Sequence, residues 1–214
     1  QYVDELLSKY SGYDKHVSQS HLTGTALQMC QIRAVESGRE PAELSRTKIP
    51  MSASYTTLTK IVLPGDTNNH DTLFGGLLMK YIDELAAIAA RRHSKKDCVT
   101  ASNDGVHFHR PILSGHIVDI EAYVSSVGRT SIEVFAKIIT EDTLSGERSV
   151  AAISFLTFVA LDEQGRPTEV PEVYPETEEQ RLVYTDREKR RAARIAKRKE
   201  TNKLMSQLDV RKSP

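Results

Sequence analysis

The chain has no tryptophan, only two cysteines, and no apolar run approaching the roughly 18–20 residues that a membrane span needs. Cys30 and Cys98 are too few for a disulfide scaffold, so reduced thiols in a cytosol-like compartment are expected. Charge of one sign is also lacking. Lys and Arg number 29 against 29 Asp and Glu, leaving no whole-molecule field to gather nucleic acid or a lipid surface. No Gly-x-Ser-x-Gly elbow is present, which argues against an α/β-hydrolase esterase, and no Gly-Lys-Ser/Thr phosphate loop occurs either. The start, "QYVDELLSKY", is polar and acidic, unlike a signal peptide. The expected compartment is therefore the cytoplasm, or an organelle matrix if the N-terminus was processed, since the chain opens on Gln rather than Met.

What is present is a core. Across 214 residues, 39% are hydrophobic and 27% charged, which fits one soluble domain with extensions. Residues 1–50 read as an N-terminal extension, with apolar spacing over 17–38 compatible with one helix or two short ones. Residues 51–175 carry the domain. Within it, 52–63 reads as a strand, about Gly75 to His93 as a long helix, and 98–109, 116–127, 130–142 and 148–162 as four further strands. The short polar links "SVGRT" and "TLSGE" favour hairpins and hence antiparallel neighbours. One strand, one long helix and four strands make an α+β plan, with the helix lying on one face of a curved sheet. Residues 176–214 hold the basic run "REKRRAARIAKRK" (187–199), of high helix propensity, and then a tail expected to be disordered.

The helix carries an acid out of place. At 100° per residue, Leu78, Tyr81, Ile82, Leu85, Ile88 and Ala89 share one broad face, while Lys80, Glu84 and Arg91 form a narrow charged stripe. Asp83 belongs to neither, because its own face is Gly76, Met79, Ala86, Ala87 and Ala90. Small residues there admit close approach by a strand, a second subunit or a ligand. A carboxylate in such a place is partly desolvated, which strengthens it as a general base. Helix geometry alone leaves a plainer reading open, in which Asp83 is an interface acid satisfied by a neighbouring hydroxyl or amide. Gly75 and Gly76 fall in the first turn, where backbone N–H groups lack helical partners and the macrodipole is positive. That arrangement suits an oxyanion hole, and equally a bare helix start under close strand packing.

The segments "PGDTNNHDTLFGGLLMKYIDELAAIAARRH", "VTASNDGVHFHRPILSGHIVDIEAYV", "GRTSIEV" and "SFLTFVALDEQGRPTEVP" resemble the hotdog-fold acyl-CoA thioesterases of the cytosolic and brain-type acyl-CoA hydrolase family. The likeness runs in order from Thr56 to about Glu178. It implies a hotdog fold, an antiparallel sheet wrapped around a long central helix, and hydrolysis of acyl-CoA to a free acid and coenzyme A. It implies that Asp83 is catalytic, that Asn68, fifteen positions earlier, is its catalytic partner from the opposite subunit, and that the active unit is a homodimer assembled into a trimer of dimers. Thr72 departs from the pattern, where many relatives carry Asn. The carbonyl is then expected against the amides of Gly75 and Gly76. Arg129, Thr130 and Ser131, with Arg110, are the residues expected to hold the coenzyme A part of the substrate. No cofactor is expected, coenzyme A being part of substrate and product.

His107 and His109 of "HFHRP" share one side of a strand, but two histidines without further ligands at a recognised spacing leave no metal expected. The basic run lacks interleaved aromatics, so a solvated helix is preferred to a nucleic-acid contact. Two other functions fit the same fold: an acyl-CoA sensor with an N-terminal DNA-reading segment, and a hotdog dehydratase or hydratase. The first is weakened by a DNA-facing segment holding five cations against six acids over residues 1–46. The second generally uses a His beside its acid, and none shares the face of Asp83.

Overall fold

The structure, a computed structural model, describes residues 46–209. The helix expected over 17–38 and the residue Cys30 lie outside them. In chain order the elements are β1 (Lys48–Pro50), a 3-10 turn (Met51–Ser54), β2 (Thr56–Ile61), a second 3-10 turn (Pro64–Asp66) and helix α1 (Gly75–Ser94). They continue as β3 (Asp97–Phe108), β4 (Ile117–Val127), β5 (Ser131–Glu141), β6 (Arg148–Leu161), β7 (Glu172–Tyr174), α2 (Glu178–Thr185) and α3 (Arg187–Met205).

Five strands form one antiparallel sheet in the order β2-β4-β5-β6-β3. The two tight links behave as their composition demands: β4 runs into β5 through Gly128–Thr130, and β5 into β6 through a turn in which Gly146 takes φ 72°. Because consecutive hairpins order the strands, β3 becomes an edge. Among the described residues it pairs with β6 alone, with register breaks between Thr100 and Ser102 and between Asn103 and Val106. Helix α1 lies on the inner face of this sheet, as the fold expectation required. Leu78, Ile82, Leu85, Ala86, Ala89 and Ala90 are buried on it, against Ile120, Ala122, Ile132, Val134, Leu156 and Phe158 of the one core cluster.

The buried stripe of α1 is turned slightly from the expected one. Ile88 is exposed, whereas Ala86 and Ala90 are fully buried. Alanine lets the sheet approach the helix axis closely, so the side bearing Ala86 and Ala90 settles inward and Ile88 is carried outward. The charged stripe is as expected, with Lys80 and Glu84 paired at 3.7 Å.

Two features close the domain from outside. Residues 48–50 form a short parallel ladder with β7, and Arg46 donates to the Gly128 carbonyl at 2.6 Å, so the chain is tied to the sheet from there on. The acidic segment after Pro175 starts a helix that the sequence reading passes over. Thr177 caps α2 with its hydroxyl, and Gln180 returns the bond to the backbone of Thr177, a capping box. The basic run then forms α3, which continues through Met205, beyond the point where a disordered tail was expected.

Candidate active site

Asp83 is half-buried on α1, and its Oδ1 accepts a hydrogen bond of 3.1 Å from the Thr100 hydroxyl of β3. The charged stripe runs along the neighbouring flank of the helix, about 80° round from Asp83. The plainer reading therefore holds one true element, a neighbouring hydroxyl, but that single bond leaves most of the carboxylate's acceptor capacity open. Thr100 is a residue that sequence reasoning does not single out. Its signal is there in retrospect, as a hydroxyl on the strand that must follow the helix, but the pairing appears only when β3 folds back along α1.

The start of α1 is bare. Phe74 occupies the cap position without a side-chain cap, and the amides of Leu77 and Leu78 both turn back to the Phe74 carbonyl, at 2.9 and 3.1 Å. The amides of Gly75 and Gly76 take no hydrogen bond among the described residues. Here glycine matters for space. A Cβ on Gly76 would stand 2.6 Å from the Phe74 ring, and one on Gly75 would touch the Phe108 ring at 3.6 Å. Both rings are more exposed than buried, and Met79, on the same flank of α1, is nearly half exposed.

Asn68 closes the loop before the helix. Its Oδ1 accepts from the backbone amide of His70 at 2.8 Å, its Nδ2 donates to the Thr72 hydroxyl at 2.9 Å, and its backbone amide bonds the Thr72 carbonyl. The departure at Thr72 thus has a structural role, since its hydroxyl completes the turn that Asn68 organises. Among the described residues no hydrogen bond joins Asn68 to Asp83 within the chain.

A cleft of about 300 Å³ opens beside this turn, lined by Thr72, Leu73, Leu78 and the segment Phe108–Ile112. It brings Arg110, the loop of Asn68 and, through Phe108, the first turn of α1 to one place. Arg129, Thr130 and Ser131 lie elsewhere, at the β4–β5 turn. The Arg129 side chain is 80% exposed and, among the described residues, pairs with Glu169 alone, at 3.9 Å. Thr130 accepts the Ala160 amide through its carbonyl, and Ser131 sits over Gly128. His107 and His109 are both exposed, and the described residues hold no cluster of three or more His, Cys, Asp or Glu able to take a metal ion.

The strongest electrostatic feature is one the sequence hid. Glu133, near the start of β5, is 2% exposed and is held by Ser125, by Ser126, by Arg190 at 2.7 Å and by Arg194 of α3. Burial alone would raise its carboxyl. Hydrogen bonds from Arg190 and Ser125 and the charge of Arg194 outweigh it and hold the group below the ordinary glutamate value.

Comparison with known proteins converges on the same chemistry. Residues 70–147 match the model of the thioesterase superfamily. An acyl-CoA thioester hydrolase of Bacillus subtilis is 48% identical over 159 residues, covering 74% of this chain and 92% of its own. An acyl-CoA hydrolase of Staphylococcus aureus, solved with butyryl coenzyme A, coenzyme A and coenzyme A disulfide, is 43% identical with a TM-score of 0.70 over 75% of this chain and 99% of its own. That enzyme has also been solved with an asparagine, an aspartate and a threonine each changed to alanine, spaced 15 and 17 residues apart, as Asn68, Asp83 and Thr100 are here. A hexameric acyl-CoA thioesterase superposes with a TM-score of 0.64 at 40% identity, over 76% of this chain and 99% of its own. With its five-stranded antiparallel sheet curled on one long helix, and with these relatives aligned over nearly their whole lengths, the chain belongs to the acyl-CoA hydrolases of the thioesterase superfamily.

Proposed function

We propose that this acyl-CoA hydrolase activates water with Asp83, against a thioester carbonyl polarised by the bare amides of Gly75 and Gly76, with Asn68 supplied by a second subunit. The observation that carries the reading is the half-buried Asp83 carboxylate, fixed by one hydroxyl and otherwise free to accept a proton from water. Thr100 orients it. A thioester is already activated, so no separate nucleophile is required, and attack by Asp83 itself to give a mixed anhydride is the secondary route. The tetrahedral intermediate places negative charge on oxygen, where two helix-terminal amides stabilise it. Collapse then expels the coenzyme A thiolate, which takes up a proton, and leaves the free acid.

Two features support a shared site. Asn68 is turned into its own loop rather than toward Asp83 in the single chain. Seven residues at about 1.5 Å each also separate Gly76 from Asp83 by roughly 10 Å along α1. One chain would have to string amide, carbonyl, water and carboxylate end to end along its helix, whereas two chains bring them in from different directions. The open edge of β3 and the exposed Phe74, Met79 and Phe108 are surface for that second copy. A trimer of dimers is the assembly proposed, as the hexameric relative suggests.

Arg110 at the cleft, and Arg129, Thr130 and Ser131 at the turn, are proposed for the coenzyme A part of the substrate, with no cofactor and no metal. The domain proper is taken as residues 51–175, and a cytoplasmic site of action suits the free thiol of Cys98. Thiol release from a panel of acyl-CoAs tests the reading. Asp83→Ala and Asn68→Ala are each expected to slow turnover by more than about a hundredfold, the scale of losing a general base or its partner. Unchanged rates would remove the mechanism, and acyl-CoA binding without thiol release would favour a sensor.

A further inference from the structure

The basic run on α3 is not absorbed by the chemistry above, and the fold gives part of it a place. Arg187, Arg191 and Arg194 reach a second, narrow cavity, against Gly128, Ser131 and Thr157 at the sheet's β4–β5 end. Its charges are unevenly used. Glu133 in its wall is met by Arg190 and Arg194, and Arg194 also reaches Asp104 at 3.3 Å. Arg187 stacks on Tyr184 and touches the exposed Glu188 at 3.7 Å. Arg191 has no hydrogen bond or ion pair among the described residues, the Ser131 hydroxyl donates to none, and the buried Thr157 Oγ1 has no partner at all among them. Three unused donors therefore converge on one opening. At about 30 Å³ the cavity excludes a nucleobase or an acyl chain but admits the leading oxygen of a phosphate group.

We infer that Arg191 of α3, with Ser131 and Thr157, binds a phosphate group of the coenzyme A moiety, and that the C-terminal helix is thereby part of the substrate site. This rests on the acyl-CoA reading. It places the phosphate contact at Arg191 rather than at Arg129, whose exposed side chain is paired with Glu169 at 3.9 Å. Position supports it. Thr100, the partner of Asp83, stands on the same rung as Phe158 of β6 and Ile132 of β5, so the Gly128–Ser131 turn lies just past the end of that rung. Two strand spacings, about 10 Å, separate them, which an extended pantetheine arm covers by passing round the end of the sheet. Guanidinium and hydroxyl donors on a phosphate oxygen form charge-assisted hydrogen bonds, which recognise the nucleotide end without touching the reacting carbonyl.

The role separates experimentally from a structural one. Steady-state thiol release is measured on the full chain with an acyl-CoA and with the same acyl group on N-acetylcysteamine, which has no nucleotide. For Arg191→Gln, the KM for acyl-CoA is expected to rise about tenfold, the scale of one lost charge-assisted contact, with kcat and Tm unchanged. The truncated thioester should be hydrolysed as by the wild type, and Ser131→Ala should show a smaller rise of the same kind. Lys197→Gln, on the same helix but outside the cavity, should leave both substrates unaffected. An unchanged KM for acyl-CoA in Arg191→Gln, an equal loss on both thioesters, or a loss that tracks a falling Tm would each overturn the assignment. A wild type that cleaves neither thioester would sink the acyl-CoA reading itself, a separate failure.

Discussion

If Asp83 and Asn68 meet only across a dimer interface, two inactive variants should repair one another. Asp83→Ala and Asn68→Ala chains, each reduced to below about 1% of wild-type turnover, are co-expressed with different tags or mixed after reversible dissociation. In a two-fold dimer each site takes Asp83 from one chain and Asn68 from the other, so a mixed dimer has one site with both changes and one with neither. Random reassortment at equal amounts makes about half the dimers mixed, each half active, so about a quarter of the wild-type rate should return. A purified mixed dimer should recover about half. A site built within one chain gives no intact copy in any combination and returns nothing. Failure of the rate to rise, with mass spectrometry confirming that mixed dimers had formed, would refute the shared site and force Asn68 out of its own turn toward its own Asp83.

Further outcomes follow from single contacts. Thr100→Val should lower kcat by about tenfold by freeing the Asp83 carboxylate, with Thr100→Ser restoring most of it. His93 is buried, with Nε2–H donating to the Pro171 carbonyl and Nδ1 unpartnered among the described residues. Burial lowers its proton affinity, only partly offset by that bond. Its folded value therefore lies below the unfolded one near 6.5. The stability it contributes is present above that pH and fades as pH falls below it, so Tm should drop between about pH 6.5 and 5, and less so in His93→Gln. Glu133→Gln leaves Arg190 and Arg194 poorly compensated against the sheet, and Tm is expected to fall by about 5 °C, following a loss of about 2 kcal/mol. An unshifted melting curve would mean that α3 is held by something else.

Much of this architecture was legible in the chain, for identifiable reasons. Helix α1 and strands β2 to β6 each carry enough periodic apolar residues to state their own conformation, and the short polar links dictate the hairpins. Asp83 was legible because helical geometry makes an acid off the charged stripe conspicuous. The short ladder of β1 with β7 was not, because three residues hold no pattern. Thr100 and Glu133 share a different difficulty. In "TSIEVFAK" a glutamate between apolar residues reads as an outward-facing strand position, and only the return of Arg190 and Arg194, some sixty residues later, shows that the outer face is covered. Long-range pairing of a polar residue leaves no local trace.

The irregular edge of β3 bears on how the protein avoids sticking to itself without limit. An open strand is a template for further strands, and a long straight one invites stacking without end. Gly105, at φ 111°, and two breaks in register cut β3 into short straight pieces. At the far margin, β2 shows Thr57, Thr59 and Lys60 to water, a poor seam for another chain. One neighbour docked about a two-fold axis, its β3 against this β3, would cap the sticky margin of both copies at once, so growth through the sheet stops at a pair, and any larger particle must be built through other surfaces.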